Sequence, residues 1–288
     1  SSLENANTLT VRNNKGNFIR IFQNNDSITQ EWEKLNLPKK EFFSFTTSEN
    51  IKLNGWILKP SNFDTTKKYP LLLVQYSGPD AQEVLDEWNV AWEYYLATQN
   101  YVVAWVDGRG TGARGVKFRK CTYQQLGILE TKDQIETAKF LSSQHYIDKE
   151  RIGIWGWSYG GFITLMAMSS PEKIFKTGIA VAPVTDWRLY NAAYAERYMR
   201  RPQENFKGYD LTSPLLHAAH LNGNLLIIHG TADDNVHAQN TLLYAQHLEE
   251  NNKKFQMLLY TDKNHSILGK ETRRHLYQQM SEFLFMNL

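Results

Sequence analysis

From residue 69 to the end of the chain, short apolar runs alternate with longer segments in which apolar residues recur at helical spacing. The short runs have the length and composition of buried parallel strands. They predict strands at residues 70–76, 101–107, 151–157, 177–184, 224–230 and 254–261. The segments between them predict helices at residues 87–100, 131–144, 159–168, 240–250 and 270–286. This alternation predicts an α/β fold with a mainly parallel, doubly wound sheet.

The beginning of the chain follows a different pattern. Residues 8–22 alternate polar and apolar on both sides of a turn-forming Asn-Asn-Lys-Gly sequence, which predicts a β-hairpin. After a polar linker, residues 41–60 contain two more predicted antiparallel strands. The composition changes near residues 35–40. We therefore predict a hairpin and linker at residues 1–38, as a short N-terminal extension, and a main domain at residues 39–288.

Composition and charge exclude several classes of protein. The net charge is +2, from 32 Lys and Arg against 30 Asp and Glu, and no basic run is interleaved with aromatic residues, so we expect no nucleic-acid partner. The only cysteine, Cys121, rules out an internal disulfide. The apolar runs are too short to cross a bilayer. Because the chain begins Ser-Ser without a signal-peptide pattern, we expect a processed product or a piece of a longer protein, and favour the piece.

The sequence Gly156-Trp157-Ser158-Tyr159-Gly160 lies between a predicted strand and a predicted helix. This is the setting of a G-x-S-x-G nucleophile elbow, in which glycines on both sides of the serine permit a cramped backbone. The turn lifts the serine oxygen out of the sheet and places it near free backbone N–H groups of the helix. The same motif also occurs as an ordinary glycine turn, so the other members of a catalytic triad decide its meaning.

In α/β hydrolases the serine is followed along the chain by an acid and then a histidine, each in a loop at the carboxyl end of a strand. Asp233 and Asp234 follow the strand predicted at residues 224–230, and His265 follows the last predicted strand. Taken singly, the acids are typical of a helix N-cap and the histidine of a solvated loop. Together they predict that His265 takes the proton of Ser158 while a carboxylate holds the imidazole. The residues alone do not choose between the two acids.

Two other features receive no catalytic role. His229 lies within or at the end of its predicted strand and His237 at the start of the next helix, so neither competes with the histidine of the last loop. The glycine-rich loop at residues 108–115 matches the dinucleotide-binding fingerprint by letter. That fingerprint needs a helix that begins at once on the glycines, in the first strand-helix-strand unit. The segment that follows is a poor helix start in the middle of the sheet, so we expect no nucleotide site.

Several segments resemble the prolyl oligopeptidase family of serine peptidases, and most closely its dipeptidyl peptidase IV branch. The resemblance covers roughly residues 40–288 and rests on GWSYGG, HGTADDNVH, YSGP, DGRGTG and AVAPVTDW with ERYM. It implies an α/β-hydrolase fold in which Asp233 is the acid of the triad. Acyl transfer also needs an oxyanion hole, for which we expect the backbone N–H of Tyr159 as one donor. The resemblance implies that the hydroxyl of Tyr76 is the other.

The segment after the strand predicted at residues 177–184 should overhang the active site. In it, Trp187, Tyr190 and Tyr194 are spaced to share one helical face, a pattern more often found in a core. The resemblance implies instead an apolar pocket for the ring of proline, lined by Val184, Trp187, Tyr190, Tyr194 and Val236. It also implies that Asn235 binds a carbonyl group of the substrate.

The resemblance implies a serine exopeptidase that cleaves after proline or alanine at the second position of a peptide, without a cofactor or a metal. Family members carry an N-terminal β-propeller, which in dipeptidyl peptidases supplies an acidic pair that grips the free amine of the substrate. Neither is found in this sequence, and the hairpin at residues 8–22 resembles the tail of such a propeller. Family analogy further implies a homodimer and an exported protein, whether periplasmic, secreted or at the cell surface.

Two other functions stay open at this point. An esterase or broader acyl hydrolase on the same triad would hydrolyse simple esters but not Xaa-Pro amides. A catalytically silent binding domain would keep the fold for contacts with partners. The complete set of catalytic residues argues against the silent domain.

Overall fold

The computed structural model describes residues 2–3 and 5–288. Its strands there are β1 (Leu9–Arg12), β2 (Phe18–Gln23), β3 (Lys40–Thr46), β4 (Lys52–Leu58), β5 (Tyr69–Val74), β6 (Val102–Asp107), β7 (Ile147–Trp157), β8 (Thr177–Val181), β9 (Asn224–Gly230) and β10 (Gln256–Tyr260). In this described part of the chain, one sheet contains eight strands in the order β10-β9-β8-β7-β5-β6-β4-β3. β5 to β10 run parallel, whereas β4 is antiparallel to both its neighbours. The mostly parallel α/β-hydrolase sheet predicted from the sequence is confirmed.

Helices cover both faces of this sheet. Within the described residues they are α1 (Asp26–Lys34), α2 (Trp92–Thr98), α3 (Val116–Lys120), α4 (Ile128–Ser142), α5 (Tyr159–Met168), α6 (Ala192–Met199), α7 (Phe206–Leu211), α8 (Pro214–His217), α9 (Gln239–Glu250) and α10 (Lys270–Asn287), with 3₁₀ turns at Trp187–Leu189 and Ala218–His220. None of these helices is long and apolar enough to cross a membrane.

The side chains of the central strand β5 alternate between two apolar cores, one on each face of the sheet. Leu72 and Val74 pack with residues of α2 and α10 on one face of the sheet. Leu71 and Leu73 pack with residues of α4, α5 and α9 on the other face. Because both faces are covered, the strand is apolar at nearly every position, as the sequence pattern predicted.

The helix predicted at residues 87–100 is shorter than expected, because α2 begins only at Trp92. The residues before it form an irregular loop that is held by the carboxylate of Asp107. The backbone N–H groups of Glu83 and Val84 donate to this carboxylate at 3.2 and 2.9 Å. These bonds hold the loop that leads to residue 87 and do not themselves replace a helical turn; helical spacing is a weak predictor that the path of a loop can override.

A second correction concerns the glycine-rich loop, since the short helix α3 does begin directly after Gly115, whose φ is 86°. The glycines of this loop allow it to pack closely against the loop that follows β5. The N–H of Gly112 donates to the carbonyl of Ala81 at 2.8 Å, and a Cβ on Gly112 would lie 2.8 Å from the carbonyl oxygen of Asp80. A packing role therefore accounts for Gly112, whereas Gly115 is needed for its positive φ, since a Cβ there would meet nothing within 4 Å.

The predicted N-terminal hairpin is confirmed, because β1 and β2 pair as a separate antiparallel sheet. Several of its large apolar side chains are exposed, among them Phe18 and Ile19. The segment predicted as a linker contains α1, which packs Trp32 against Trp88 and Tyr94 with ring centroids 5.2 and 4.8 Å apart. The boundary between the two units predicted from the sequence stays a prediction.

Candidate active site

Ser158 occupies the turn between β7 and α5, where the motif places it. Its backbone is strained, with φ 60° and ψ −115°. Glycine is needed on both sides, because a Cβ on Gly156 would lie 2.5 Å from the carbonyl carbon of Gly160, and one on Gly160 would lie 2.4 Å from the carbonyl oxygen of Gln75. The N–H of Ser158 donates to the carbonyl of Val181 at 2.8 Å. The serine is left half-buried at the amino end of α5.

His265 and Asp233 meet at the sheet edge that also carries the serine. Nδ1 of His265 lies 2.7 Å from Oδ2 of Asp233. Because an ionised carboxylate only accepts hydrogen bonds, Nδ1 of the neutral imidazole carries the hydrogen and Nε2 keeps the lone pair that a general base requires. Asp234 is exposed, whereas the side chain of Asp233 is fully buried. Of the two acids that the sequence left open, the structure brings Asp233 to the histidine.

The loop of His265 is also tied to the elbow. The indole N–H of Trp157, the residue before the nucleophile, donates to the carbonyl oxygen of His265 at 3.0 Å. The N–H of Ala232, in the loop of the acid, donates to the carbonyl of Lys263 at 3.0 Å. The loops after β7, β9 and β10 are therefore fastened to one another at the carboxyl edge of the sheet.

The carboxylate of Asp233 is surrounded by donors. Burial would raise its pKa, but hydrogen bonds from His229 and His265 hold the pKa well below its ordinary value. The backbone N–H groups of Asn235 and Val236 add two more bonds, to Oδ1, at 3.0 and 2.9 Å. The acid therefore stays ionised and fixed in one orientation at neutral pH.

His229 is a site residue that sequence reasoning missed. It is fully buried at the end of β9, with Nε2 2.8 Å from the carbonyl of Val236 and 3.2 Å from Oδ2 of Asp233. Its Nδ1 lies 2.7 Å from the hydroxyl of Thr241. Since both neighbours of Nε2 are acceptors, Nε2 carries the hydrogen and donates towards the acid. The only signal in the sequence was that His229 lies four residues before Asp233, and this position is equally consistent with an ordinary buried strand residue.

The three aromatic residues of the predicted pocket do not share one helical face. Trp187 lies in a 3₁₀ turn, Tyr190 is extended, and Tyr194 lies in α6. The backbone turns here because the side chain of Asn191 accepts the N–H of Tyr194 at 2.9 Å and so caps a new helix. The rings nevertheless meet, with centroids 5.7, 5.8 and 5.3 Å apart.

All five side chains predicted for the pocket belong to one apolar cluster. Val184, Trp187 and Val236 are buried, whereas the two tyrosines are half-buried. The ring of Tyr159, for which the sequence suggested only a backbone role, joins this cluster with its centroid 5.5 Å from that of Trp187. A buried floor with half-exposed aromatic edges suits a small rigid apolar group.

Asn235 is linked to the same cluster. The hydroxyl of Tyr190 donates to Oδ1 of Asn235 at 2.7 Å. This bond occupies the side-chain oxygen of Asn235 and fixes the orientation of its side-chain NH₂ group. That NH₂ group is the donor that a substrate carbonyl would need. Asn235 itself is exposed.

Tyr76 lies just beyond β5, close to the elbow. Its Cα would be 3.2 Å from a Cβ on Gly160, and its ring centroid is 6.1 Å from that of Tyr159. Burial raises the pKa of Tyr76, so the phenol keeps its hydrogen and remains a donor. The N–H of Tyr159, the first residue of α5, is one of the groups without an intrahelical partner at the helix start. The two donors predicted for an oxyanion hole therefore come from neighbouring segments.

A strained serine at a strand-to-helix elbow, on the same sheet edge as a carboxylate-bound histidine, is the arrangement typical of the α/β-hydrolase fold. The model of the prolyl oligopeptidase family matches residues 88–288. The chain belongs to this family.

Named relatives are similar over most of the chain. It is 40% identical to prolyl endopeptidase FAP and 38% identical to dipeptidyl peptidase 4, both of Bos taurus, over 270 residues in each case. These matches cover 92% of this chain and 35% of each relative. The crystal structure of Porphyromonas gingivalis dipeptidyl peptidase 4 superposes with a TM-score of 0.97 at 51% identity, over 100% of this chain and 41% of that one. The chain thus spans about a third of the length of its curated relatives.

The buried hydrogen bond from His229 generates the first prediction. His229→Ala should lower kcat by about 10- to 100-fold with little change in KM, because a hydrogen bond to a charged group is worth about 1.5–3 kcal/mol and this one holds the acid that orients His265. His237→Ala, which changes an exposed histidine of the same loop, is the matched control. Steady-state kinetics on folded variants, checked by circular dichroism, measure the effect. Equal activity of both variants would contradict it.

Proposed function

We propose that residues 39–288 are the catalytic domain of a serine exopeptidase of the dipeptidyl-peptidase type, which cleaves after proline or alanine at the second position. The observation that carries the proposal is the 2.7 Å bond between His265 and Asp233, at the sheet edge that presents Ser158. Similarity to proteins named dipeptidyl peptidase 4 and prolyl endopeptidase supports the choice of substrate.

Acylation follows from the geometry. Oγ of Ser158 attacks the carbonyl carbon of the scissile bond while Nε2 of His265 takes the hydroxyl proton. The imidazolium that forms is stabilised by Asp233, whose carboxylate is already ionised and bound to Nδ1. His265 then returns the proton to the leaving amine, and the acyl group remains on the serine as an ester.

The negative charge on the tetrahedral oxygen needs two donors that are in place before the reaction. We assign this role to the backbone N–H of Tyr159 and the hydroxyl of Tyr76. The positive end of the α5 dipole lies at the same point. In the second half of the cycle, His265 takes a proton from the water that attacks the ester, and then returns it to Oγ of Ser158 as the acid product leaves.

Selection of the residue before the scissile bond rests on the apolar cluster. The ring of proline is compact and rigid, so it loses little entropy on entering a pocket whose walls are fixed rings. We assign the pocket to Val184, Trp187, Tyr190, Tyr194 and Val236, and assign Asn235 to a backbone carbonyl of the substrate. Alanine fits the same space with fewer contacts.

A second candidate, a prolyl endopeptidase, is favoured by one observation: the relative with that name is as similar as the one named dipeptidyl peptidase 4. Both activities use the same triad and pocket. They differ in whether the substrate needs a free N-terminus, so the choice depends on groups outside the triad. Homodimer formation and export are further proposals that rest on family resemblance alone.

The pocket assignment predicts a substrate-dependent effect. Tyr190→Ala should raise the barrier for an Xaa-Pro amide by about 1–3 kcal/mol in kcat/KM, the usual range for a hydrophobic pocket, and affect a small activated ester much less. Tyr190→Phe is the matched control for packing, since it keeps the ring and removes only the bond to Asn235. Equal losses on both substrates would mean that Tyr190 supports the core. If the wild type hydrolyses the ester rapidly and the amide not at all, a general esterase is favoured instead.

The source of exopeptidase specificity generates another prediction. The 288-residue chain should hydrolyse H-Xaa-Pro and N-acetyl-Xaa-Pro substrates with similar kcat/KM, because the acidic pair expected from the family resemblance is not found in its sequence. A longer protein with such a pair should disfavour the acetylated substrate by about 2–5 kcal/mol. A strong free-amine preference in the 288-residue chain would place the anchor within it. Equal use of both substrates by the longer protein would favour the endopeptidase.

A further inference from the structure

Glu130 is a fully buried carboxyl group that binds the side chain of Tyr159, the residue after the proposed nucleophile. It lies in the first turn of α4, where the helix dipole favours an anion. Its Oε1 accepts the hydroxyl of Tyr159 at 2.8 Å, and its Oε2 accepts the backbone N–H of Gly127 at 2.9 Å. Within residues 2–3 and 5–288, no Lys or Arg forms an ion pair with it. The proposed chemistry leaves this group without a role.

These bonds join the start of α4 to the start of α5. Gly127 has φ 91°, and a Cβ there would lie 2.3 Å from the ring of Phe162, so the two helices touch closely at this point. The hydrogen bond that the hydroxyl of Tyr159 donates to Glu130 is the second contact between the two helices. The first turn of α5, which carries the proposed oxyanion donor, is therefore held against α4 through the side chains of Tyr159 and Phe162.

Tyr159 places Glu130 in contact with both functions of the site. Its backbone N–H is the proposed oxyanion donor, and its ring lies beside Trp187 in the pocket cluster, with centroids 5.5 Å apart. A ring whose hydroxyl is anchored cannot turn or slide when a substrate enters. A displacement of about 1 Å in a group that positions the reaction can lower the rate by about 100-fold.

We propose that Glu130 is a positioning residue for the peptidase reaction, acting through the hydroxyl of Tyr159 to fix the oxyanion donor and one wall of the pocket. The inference rests on the proposed function of Ser158. Glu130 touches neither the substrate nor the reacting atoms, so its effect passes entirely through Tyr159.

The protonation state of Glu130 should be visible in the reaction. Burial raises the pKa of Glu130 from 4.5 to about 8. The titratable and charged groups that face it within the described residues are Tyr159 on α5, Asp133 with its partner Arg109, Cys121 after α3, and Tyr194 on α6. The ionised carboxylate accepts both of its hydrogen bonds. A proton on Oε1 of the neutral acid can be donated only to the oxygen of Tyr159, since the N–H of Gly127 cannot accept, and the hydrogen of the Tyr159 hydroxyl then loses its acceptor.

The test compares Glu130→Gln with the wild type in the longest active form of the protein, using an Xaa-Pro amide from about pH 6 to about pH 10. The wild type should show a step in kcat near pH 8, with the higher rate on the alkaline side. Glu130→Gln should lose that step and fall about 10- to 100-fold below the wild-type plateau, with a smaller change in KM. Glu93→Gln, which alters another buried glutamate on the opposite core, is the matched control and should keep the step.

Tyr159→Phe keeps the ring and removes the hydroxyl, so it separates positioning from general stability. If Glu130 acts through Tyr159, the two substitutions together should lower kcat no more than either one alone. Additive losses, or a wild-type pH profile in Glu130→Gln, would overturn the inference. If Ser158→Ala retains activity, the proposed function fails instead, which keeps the two failures distinct. If Glu130→Gln does not fold, Tyr159→Phe serves as the test. Because it lacks the hydroxyl through which Glu130 acts, its kcat should show no step near pH 8.

Discussion

The cramped backbone at Ser158 is the constraint on which the rest of the site depends. A non-glycine residue held at φ 60° and ψ −115° costs on the order of 1–3 kcal/mol and persists only when its surroundings fix it. The parallel strands on both sides do so, since Val181 accepts the serine N–H and the side chain of Gln75 donates to the carbonyl of Gly160 at 2.6 Å. The sheet supplies the rigidity that exposes the hydroxyl.

The second requirement is an acid that stays charged although it is buried. Asp233 meets it by accepting two backbone N–H groups and two imidazoles, so that its pKa falls despite desolvation. Glu130 is the opposite case, with two donors, no Lys or Arg paired with it among the residues that the structure describes, and a raised pKa. The difference in donor count separates a group that must remain ionised from one that titrates near neutral pH.

Residue patterns predicted the sheet, the elbow and the triad loops because these depend on local features: apolar runs, paired glycines and chain order. They could not predict contacts between distant segments where no motif marks the residues. His229 looked like any buried strand residue, and Glu130 like an ordinary acid in the first turn of a helix. The helical spacing of Trp187 and Tyr194 was misleading, because the cap at Asn191 starts a new helix between them. Catalytic roles for the site residues stay predictions until they are measured.

The central claim is that Ser158 is a nucleophile activated by His265. Incubation with a fluorophosphonate, followed by mass spectrometry of the digested protein, tests it most directly, because such reagents form a stable adduct only with an activated serine. The account predicts one adduct, on the peptide that contains Ser158, no adduct in Ser158→Ala, and much slower labelling in His265→Ala. Labelling of another residue, or an unchanged rate without His265, would contradict it.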